Sequence, residues 1–347
     1  MAVQKKSENL AFRKLKEDIS GENPEQLYIF YGEEDYLRQY YLKELRRICG
    51  GPFDSFDTVV LDGEQVDVDS LTDAIDSFPM GGERKLVILR DYKVWQPTGA
   101  LKELLPDLLA NLPEHICLVV DCDSIEFKPD KRTAIYKVLE KHGQIVEFQK
   151  ATGADLIPWV KRRFKALGKT IDTPECEHLI FLCGSSMTNL IGECEKIAAG
   201  TGRDQIRMED VRALASRVLE ADVFDLTDSV LKGDYTKALT LLRDLFDMKN
   251  EPVAILGAVS KQLQRLYGAR LAMEQGKGEG YLADLLGFRS TYPAKLLLQS
   301  ARSCEIKALR RIQGLCLEAD LQLKSNLPDS HRVMEMLLMQ IAQEVRL

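Results

Sequence analysis

The chain has 347 residues, of which 45% are hydrophobic and 29% are charged, and its formal net charge is -7 at pH 7. This length exceeds what one hydrophobic core usually organises, so two or three domains are expected, and the composition excludes a mainly disordered protein. Binding to nucleic acid needs a dense basic surface. The acidic balance therefore argues against a protein whose main task is to hold DNA or RNA by itself.

The cellular location is predicted from the apolar runs and the cysteines. No run approaches the ~18 apolar residues needed to cross a bilayer, and residues 1–7 lack the apolar stretch of a signal peptide. A cytoplasmic protein without a membrane partner is therefore expected. The eight cysteines have no paired spacing, so they are expected to be reduced thiols, several of them in the core.

Residues 1–149 alternate short apolar runs with amphipathic segments, which is the pattern of β-α units and a mainly parallel sheet. The sequence therefore predicts an open α/β domain, in which crossover helices join five strands. These strands are predicted over 27–31, 58–61, 85–89, 116–120 and 144–148.

The segment after the first strand is predicted to form an amphipathic helix. Its apolar stripe consists of Leu37, Tyr41, Leu45 and Ile48, and Arg38 lies elsewhere on the helix. The stripe is expected to pack on the sheet.

The turn before this helix has the position of a phosphate-binding loop but not its residues. In a P-loop, GxxxxGK[ST], glycine amides and a lysine surround the phosphates. Here Gly32 is followed by Glu33, Glu34 and Asp35, whose carboxylates repel a triphosphate while suiting the positive end of the helix. GxxxxGK[ST] does not occur anywhere else in the sequence, so no nucleotide cofactor is predicted.

Strand signals nearly vanish after residue 150, and helical periodicity takes over. A small helical domain is predicted over 150–217 and a second helical domain over 218–347, in which five or six helices are predicted from residue 223 to the end. In the smaller domain, helices are predicted from residue 155 to the glycine at 168, and over 175–182, 187–199 and 209–219.

Two groups of residues resemble metal sites. Asp121 and Asp123 follow a buried strand, where an aspartate of the Walker-B type would hold magnesium, but without a P-loop there is no phosphate for the metal to bridge. They are interpreted as the end of a strand. The second group contains His178 and Cys176, Cys183 and Cys194, but it lacks the close C-x2-C pair typical of structural zinc. These cysteines are interpreted as core thiols, and no metal is predicted.

The sequence carries no clear catalytic or nucleic-acid-binding signature. The four histidines occur in unrelated settings, no Gly-x-Ser-x-Gly or Cys-His signature accompanies them, and no acid-base pair stands out. No catalytic residue is therefore predicted. Basic clusters at 161–163 and 310–311 can touch phosphates, but they are interpreted as solvated helix faces.

The loop at residues 77–82 is the strongest candidate for a binding surface. It contains Phe78, Pro79 and Met80 in succession, followed by two glycines. Apolar residues in a loop whose backbone can protrude favour a plug for a groove of another protein. The alternative is that Phe78 continues the apolar stripe of the preceding helix and completes its buried face.

Five segments in order resemble the signature blocks of one family, the delta subunit of bacterial DNA polymerase III, which is part of the clamp loader. Each block alone is weakly specific, and the five together are strongly so. The resemblance covers nearly the whole chain. The segments are 27–37, 78–87, 183–197, 223–234 and 320–325.

The resemblance implies an AAA+-like α/β domain over 1–149 that does not bind nucleotide, a small helical lid domain over 150–217, and an all-α collar domain over 218–347. It further implies a subunit that binds the sliding clamp, the beta subunit, and promotes its opening for loading onto primed DNA. The collar would join the gamma/tau and delta prime subunits, and sister subunits would hydrolyse ATP. The family is part of a DNA-directed DNA polymerase, but no catalysis by this chain is predicted.

The resemblance also implies that Phe78, Pro79, Met80 and Gly81 contact the clamp. Family members commonly carry an aliphatic residue followed by phenylalanine in this block. Met80 matches the aliphatic position and Gly81 occupies the place of the phenylalanine, so either Phe78 supplies the aromatic contact or the loop holds its ring less tightly. Two other functions stay open, an AAA+-type ATPase motor with a degenerate nucleotide pocket and an independent DNA-binding protein.

Overall fold

The computed structural model describes residues 10–50, 54–288, 290–325 and 329–346. The chain divides into two compact units, Met1–Lys150 and Ala151–Leu347. The finer division of the second unit into a lid domain and a collar domain stays a prediction.

The first unit contains a parallel sheet whose strands begin at the predicted residues. Within the described residues this sheet has five strands, and the outer positions are held by the second and fifth strands in the chain. Its central strands are buried almost throughout, which explains their continuous apolar sequences. The strands are β1 Leu27–Gly32, β2 Thr58–Asp62, β3 Lys85–Arg90, β4 Ile116–Asp121 and β5 Gln144–Phe148, and their order in the sheet is β2-β3-β4-β1-β5.

Helices cover both faces of this sheet. Alternate residues along each strand enter two separate cores, as the two-residue period of a strand requires. One core includes residues of α1 and α2, and the other includes residues of α4, α5 and α6. The helices are α1 Leu10–Ser20, α2 Asp35–Gly50, α3 Asp54–Asp57, α4 Val68–Asp76, α5 Leu101–Ala110 and α6 Ala134–His142, with a 3-10 turn at Gly63–Gln65.

Helix α2 turns a slightly different face to the sheet than predicted. Leu45 is buried as expected, but Leu37 and Ile48 are only half-buried. The prediction was wrong for Arg38, whose side chain is fully buried. A charged side chain is stable in such a place only when opposite charges accompany it.

The second unit begins with four helices, as predicted. It also contains a pair of two-residue parallel strands, which the sequence did not predict. The predicted helix over 209–219 ends early, at Leu214. The chain beyond it is extended because Ser216 N–H donates to Glu193 Oε2 at 2.8 Å and Val218 N–H donates to the Leu182 carbonyl at 2.8 Å. The elements are α7 Gly153–Ala166, β6 Thr170–Ile171, α8 Thr173–Cys183, α9 Met187–Gly200, β7 Gln205–Ile206 and α10 Met208–Leu214.

The described residues between 219 and 346 form seven helices, so the prediction of five or six was wrong. They enclose one large apolar core. None of the helices in the described ranges is long and apolar enough to cross a bilayer. The seven are α11 Leu219–Leu231, α12 Tyr235–Asp247, α13 Pro252–Glu274, α14 Glu279–Leu286, α15 Thr291–Ala301, α16 Ile306–Lys324 and α17 Ser330–Arg346. The predicted architecture, an α/β domain with a five-stranded parallel sheet followed by helical segments, is confirmed.

Candidate functional site

The contact loop, residues 77–82, connects α4 to β3 and presents two apolar side chains to solvent. Phe78 is 76% exposed and Met80 is 78% exposed. Because α4 ends at Asp76 and Ser77 has an extended backbone, Phe78 lies beyond the helix. The alternative in which Phe78 completes the buried face of the helix is therefore wrong.

The exposed phenylalanine is supported from one side. Its ring stacks on the His115 ring, with centroids 4.6 Å apart and an angle of 23° between the planes. His115 directly precedes β4 and its carbonyl accepts a hydrogen bond from Lys85 N–H at 2.7 Å, so the backbone that carries the imidazole belongs to the framework of the sheet. This contact leaves most of Phe78 free for a partner.

A buried carboxylate holds the backbone of the contact loop. Asp57, at the end of α3, has no exposed surface. It accepts hydrogen bonds from the N–H groups of Met80 at 2.5 Å, Gly81 at 2.9 Å and Gly82 at 2.9 Å. Burial raises the pKa of Asp57, but these three bonds and the charge of Lys85 outweigh it and lower the pKa below its usual value. The loop is thus anchored by an ionised group.

Close packing fixes both ends of the contact loop. A Cβ added to Gly82 would lie 2.3 Å from the carbonyl oxygen of Cys49, so only glycine fits there. At the other end, Ser77 Oγ donates to the Asp73 carbonyl at 2.7 Å and accepts a hydrogen bond from Lys85 Nζ. Burial lowers the pKa of Lys85, against the attraction of the nearby carboxylate.

The turn with the position of a P-loop lies at the carboxyl end of β1. Gly32 has a φ of +127°, and the following carboxylates include Glu33, which pairs with Lys150 at 3.1 Å. The sequence has a Gly-Lys-Thr tripeptide at 168–170, but it lies between α7 and β6. Lys169 Nζ donates there to the carbonyls of Thr201 at 2.9 Å and Arg203 at 2.7 Å.

Replacing Gly32 with alanine tests how tightly this turn is packed. The new Cβ would lie 2.4 Å from the Phe148 carbonyl oxygen, in a backbone conformation that favours glycine. We expect the free energy of unfolding, measured by urea denaturation, to fall by at least ~2 kcal/mol. The control is Gly99→Ala, since Gly99 also has a positive φ but nothing within 4 Å of a Cβ. A loss no larger than that of the control would contradict the steric account.

The positively charged side chain of Arg38 binds the aspartates at the end of β4. The Arg38 guanidinium donates to Asp121 and Asp123, and to Asp35 at 3.0 Å. Burial lowers the pKa of Arg38, but the hydrogen bonds and charges of these carboxylates outweigh it and raise the pKa. Asp121 ends β4 as predicted, and both aspartates bind a side chain of the same protein. The sequence did not predict this role for Arg38, because a basic residue next to an apolar stripe is normally interpreted as exposed to solvent.

The cysteines are core residues, as predicted for several of them. All eight are buried, and burial raises the pKa of Cys176, Cys183 and Cys194 to about 12. His178 Nδ1 lies 3.0 Å from the hydroxyl oxygen of Tyr292 on α15. Among the described residues, no group of three or more potential ligands could hold a metal ion.

The basic clusters are partly neutralised by acidic neighbours. In the first cluster, Arg163 pairs with Glu195. In the second, Arg311 Nε lies 2.5 Å from Glu344 Oε2 and Arg310 donates to the Tyr267 hydroxyl at 3.2 Å. These contacts agree with the interpretation of both clusters as helix surfaces.

Two family models match the chain. The model described as DNA polymerase III, delta subunit, matches residues 28–149, and the model of the C-terminal domain of the same subunit matches residues 220–341. The DNA polymerase III subunit delta of Bacillus subtilis (strain 168) is 26% identical over 327 residues, which cover 91% of this chain and 92% of the relative. The probable DNA polymerase III subunit delta of Aquifex aeolicus (strain VF5) is 23% identical over 276 residues, covering 77% of each chain.

A solved structure has the same fold. The DNA clamp loader delta protein of Bacillus subtilis superposes with a TM-score of 0.60 at 24% identity, over 96% of this chain and 99% of that chain. The sheet and the helical segments of this chain thus have the fold of that protein. The chain belongs to the DNA polymerase III delta subunit family, as its sequence blocks predicted.

Proposed function

We propose that this chain is the clamp-loader subunit that binds the sliding clamp through its contact loop and promotes clamp opening for loading onto primed DNA. The observation that carries the proposal is the loop itself. Its backbone is held by buried groups while Phe78 and Met80 extend into solvent. Exposed apolar side chains on a fixed backbone are what a hydrophobic groove of a partner can bind at small cost in conformational entropy.

Clamp opening follows from differential affinity. A subunit that binds the open clamp interface more tightly than the closed one shifts the ring toward the open state by that difference in free energy, and by no more. Such a subunit needs no reaction of its own. In this proposal ATP acts only through neighbouring subunits.

The contrasting function, an ATPase motor with a degenerate pocket, requires triphosphate binding by this chain. The acidic turn at 33–35 disfavours it by charge, and Arg38 occupies the carboxylates that would hold magnesium. An independent DNA-binding protein would require strongly salt-dependent DNA binding by the isolated chain. The net charge of -7 and the paired arginines disfavour that function.

The helices after residue 218 are proposed to join the gamma/tau and delta prime subunits in the cytoplasm, where the assembly acts on primed DNA. Support comes from exposed leucines on α16, Leu317 and Leu321, and from Val253 on α13. Leu317 and Val253 line a cavity of about 310 Å³ between these helices. Apolar side chains grouped around a concavity are typical of protein interfaces.

The function is tested by titrating the full chain with the sliding clamp of the same organism, without nucleotide. We expect a saturable complex in calorimetry and co-elution in gel filtration. The same chain titrated with ATP and magnesium is expected to give no binding heat at micromolar concentration. Failure to bind the clamp would contradict the proposal, and saturable ATP binding would favour the ATPase alternative.

A further inference from the structure

We propose that Asp57 is a positioning residue that fixes the contact loop in its binding conformation before the clamp arrives. This inference rests on the proposed clamp contact and assigns a role to a residue that lies 23 positions before Met80 in the chain. Asp57 does not reach the surface, so it acts through the loop backbone and not by touching the partner.

Both oxygens of the carboxylate are used. Oδ1 accepts the N–H of Met80, and Oδ2 accepts the N–H groups of Gly81 and Gly82. Three successive N–H groups can converge on one anion only when the backbone curls around it, because alternate N–H groups of an extended chain point to opposite sides. The carboxylate therefore selects one curled conformation. Hydrogen bonds to an ionised acceptor are also stronger than those between neutral groups.

The composition of the loop makes such an anchor necessary. Gly81 and Gly82 adopt more backbone conformations than other residues, and ordering them costs correspondingly more conformational entropy. Gly82 cannot be replaced without a clash with Cys49, so the loop keeps a flexible residue for steric reasons. Asp57 compensates for that flexibility, and Met80 is held next to the anchored peptide groups.

The first variant is Asp57→Asn, which keeps the shape of the side chain. An amide places an NH₂ donor where one oxygen accepted, so at least one backbone N–H faces another donor. We expect clamp affinity to fall roughly tenfold, because the loop of the variant loses more conformational entropy on binding. In the free chain, the amide protons of residues 80–82 are expected to exchange faster with solvent while those of β3 and β4 do not.

The matched control is Asp91→Asn. Asp91 Oδ1 also accepts three backbone N–H groups, those of Asp123 at 2.8 Å, Ser124 at 2.8 Å and Ile125 at 3.3 Å. Since Asp91 follows β3 whereas the contact loop precedes it, the two carboxylates bind backbone N–H groups at opposite ends of the parallel strands. The control is expected to leave clamp affinity and the exchange of residues 80–82 unchanged.

A double-mutant cycle tests whether Asp57 acts on the free loop or on the bound contact. Met80→Ala is measured in the native chain and in Asp57→Asn. If Asp57 only raises the fraction of free chains whose loop already has its binding conformation, it scales the association constant by that fraction, so the two losses are expected to be additive. A Met80 truncation that costs much less affinity in the Asp57→Asn background would overturn the inference that Asp57 acts before the clamp arrives.

The remaining outcomes distinguish this inference from the proposed function. If Met80→Asp weakens clamp binding but Asp57→Asn does not, the positioning role is wrong and the contact loop stands. Unchanged amide exchange at residues 80–82 in Asp57→Asn also overturns the positioning role, and this measurement needs no clamp. If Met80→Asp leaves binding unchanged, the contact assignment fails and the positioning role fails with it.

Discussion

Replacing Met80 with aspartate is expected to weaken binding to the sliding clamp by more than ~2 kcal/mol, which is roughly a 30-fold loss of affinity. Met80 is 78% exposed in the free chain, so the substitution removes little packing from the fold. In a complex the new carboxylate would have to lose its water without gaining a partner, which is costly. Calorimetric titration measures the affinity, and circular dichroism and thermal unfolding check that the fold is intact.

The matched control for this substitution is Met248→Asp. Met248 is 64% exposed and follows α12 in the second unit, so the same charge is added far along the chain from the contact loop. Clamp affinity is expected to be unchanged in the control. Equal affinities for Met80→Asp and the native chain would refute the proposal that the contact loop binds the clamp. In the same titration, Phe78→Ala decides whether Phe78 supplies the aromatic contact or the loop binds through Met80.

Replacing Arg38 with methionine is expected to lower the free energy of unfolding by about 3–5 kcal/mol, because it leaves the buried carboxylate of Asp121 without its cation. The arginine has no exposed surface and Asp121 is 1% exposed, so water cannot easily replace the guanidinium. Methionine keeps much of the side-chain volume, which limits the contribution of a cavity. Chemical denaturation measures the change.

The control is Arg47→Met on the same helix. Arg47 pairs with Glu22 at 3.0 Å and with Glu44 at 3.1 Å, but its side chain is 55% exposed. Exposed pairs contribute little because water screens them, so we expect a much smaller loss than for Arg38→Met. Similar losses for the two variants would mean that burial of the Arg38 network does not matter for stability.

The sheet could be predicted from the sequence because its strands are buried by helices on both faces. The central strands β1, β3 and β4 are mainly apolar runs, and all five strands begin at the predicted position. Local sequence is sufficient for the central strands, since burial on both faces requires apolar residues through most of the run. Met80 is exposed, and its contact with a partner stays a prediction.

Contacts between distant segments explain what could not be predicted. Arg38 is buried by carboxylates that lie 83 and 85 positions away, and local periodicity carries no signal for such a pair. Asp57 is likewise 23 to 25 positions from the amides that it accepts. The early end of α10 depends on Glu193 and Leu182, which belong to other helices. For Arg38 and α10, tertiary contacts override the local prediction, and for Asp57 the local sequence made no prediction.

The guanidinium at the end of β4 is covalently part of the chain, so it cannot dissociate as a magnesium ion can. Asp121 and Asp123 therefore keep the same neutralising positive charge whether or not a nucleotide is present. This end of the sheet thus contains a fixed cation in place of a ligand that binds and dissociates. In the proposed assembly, this end of the sheet would therefore not respond to nucleotide by itself.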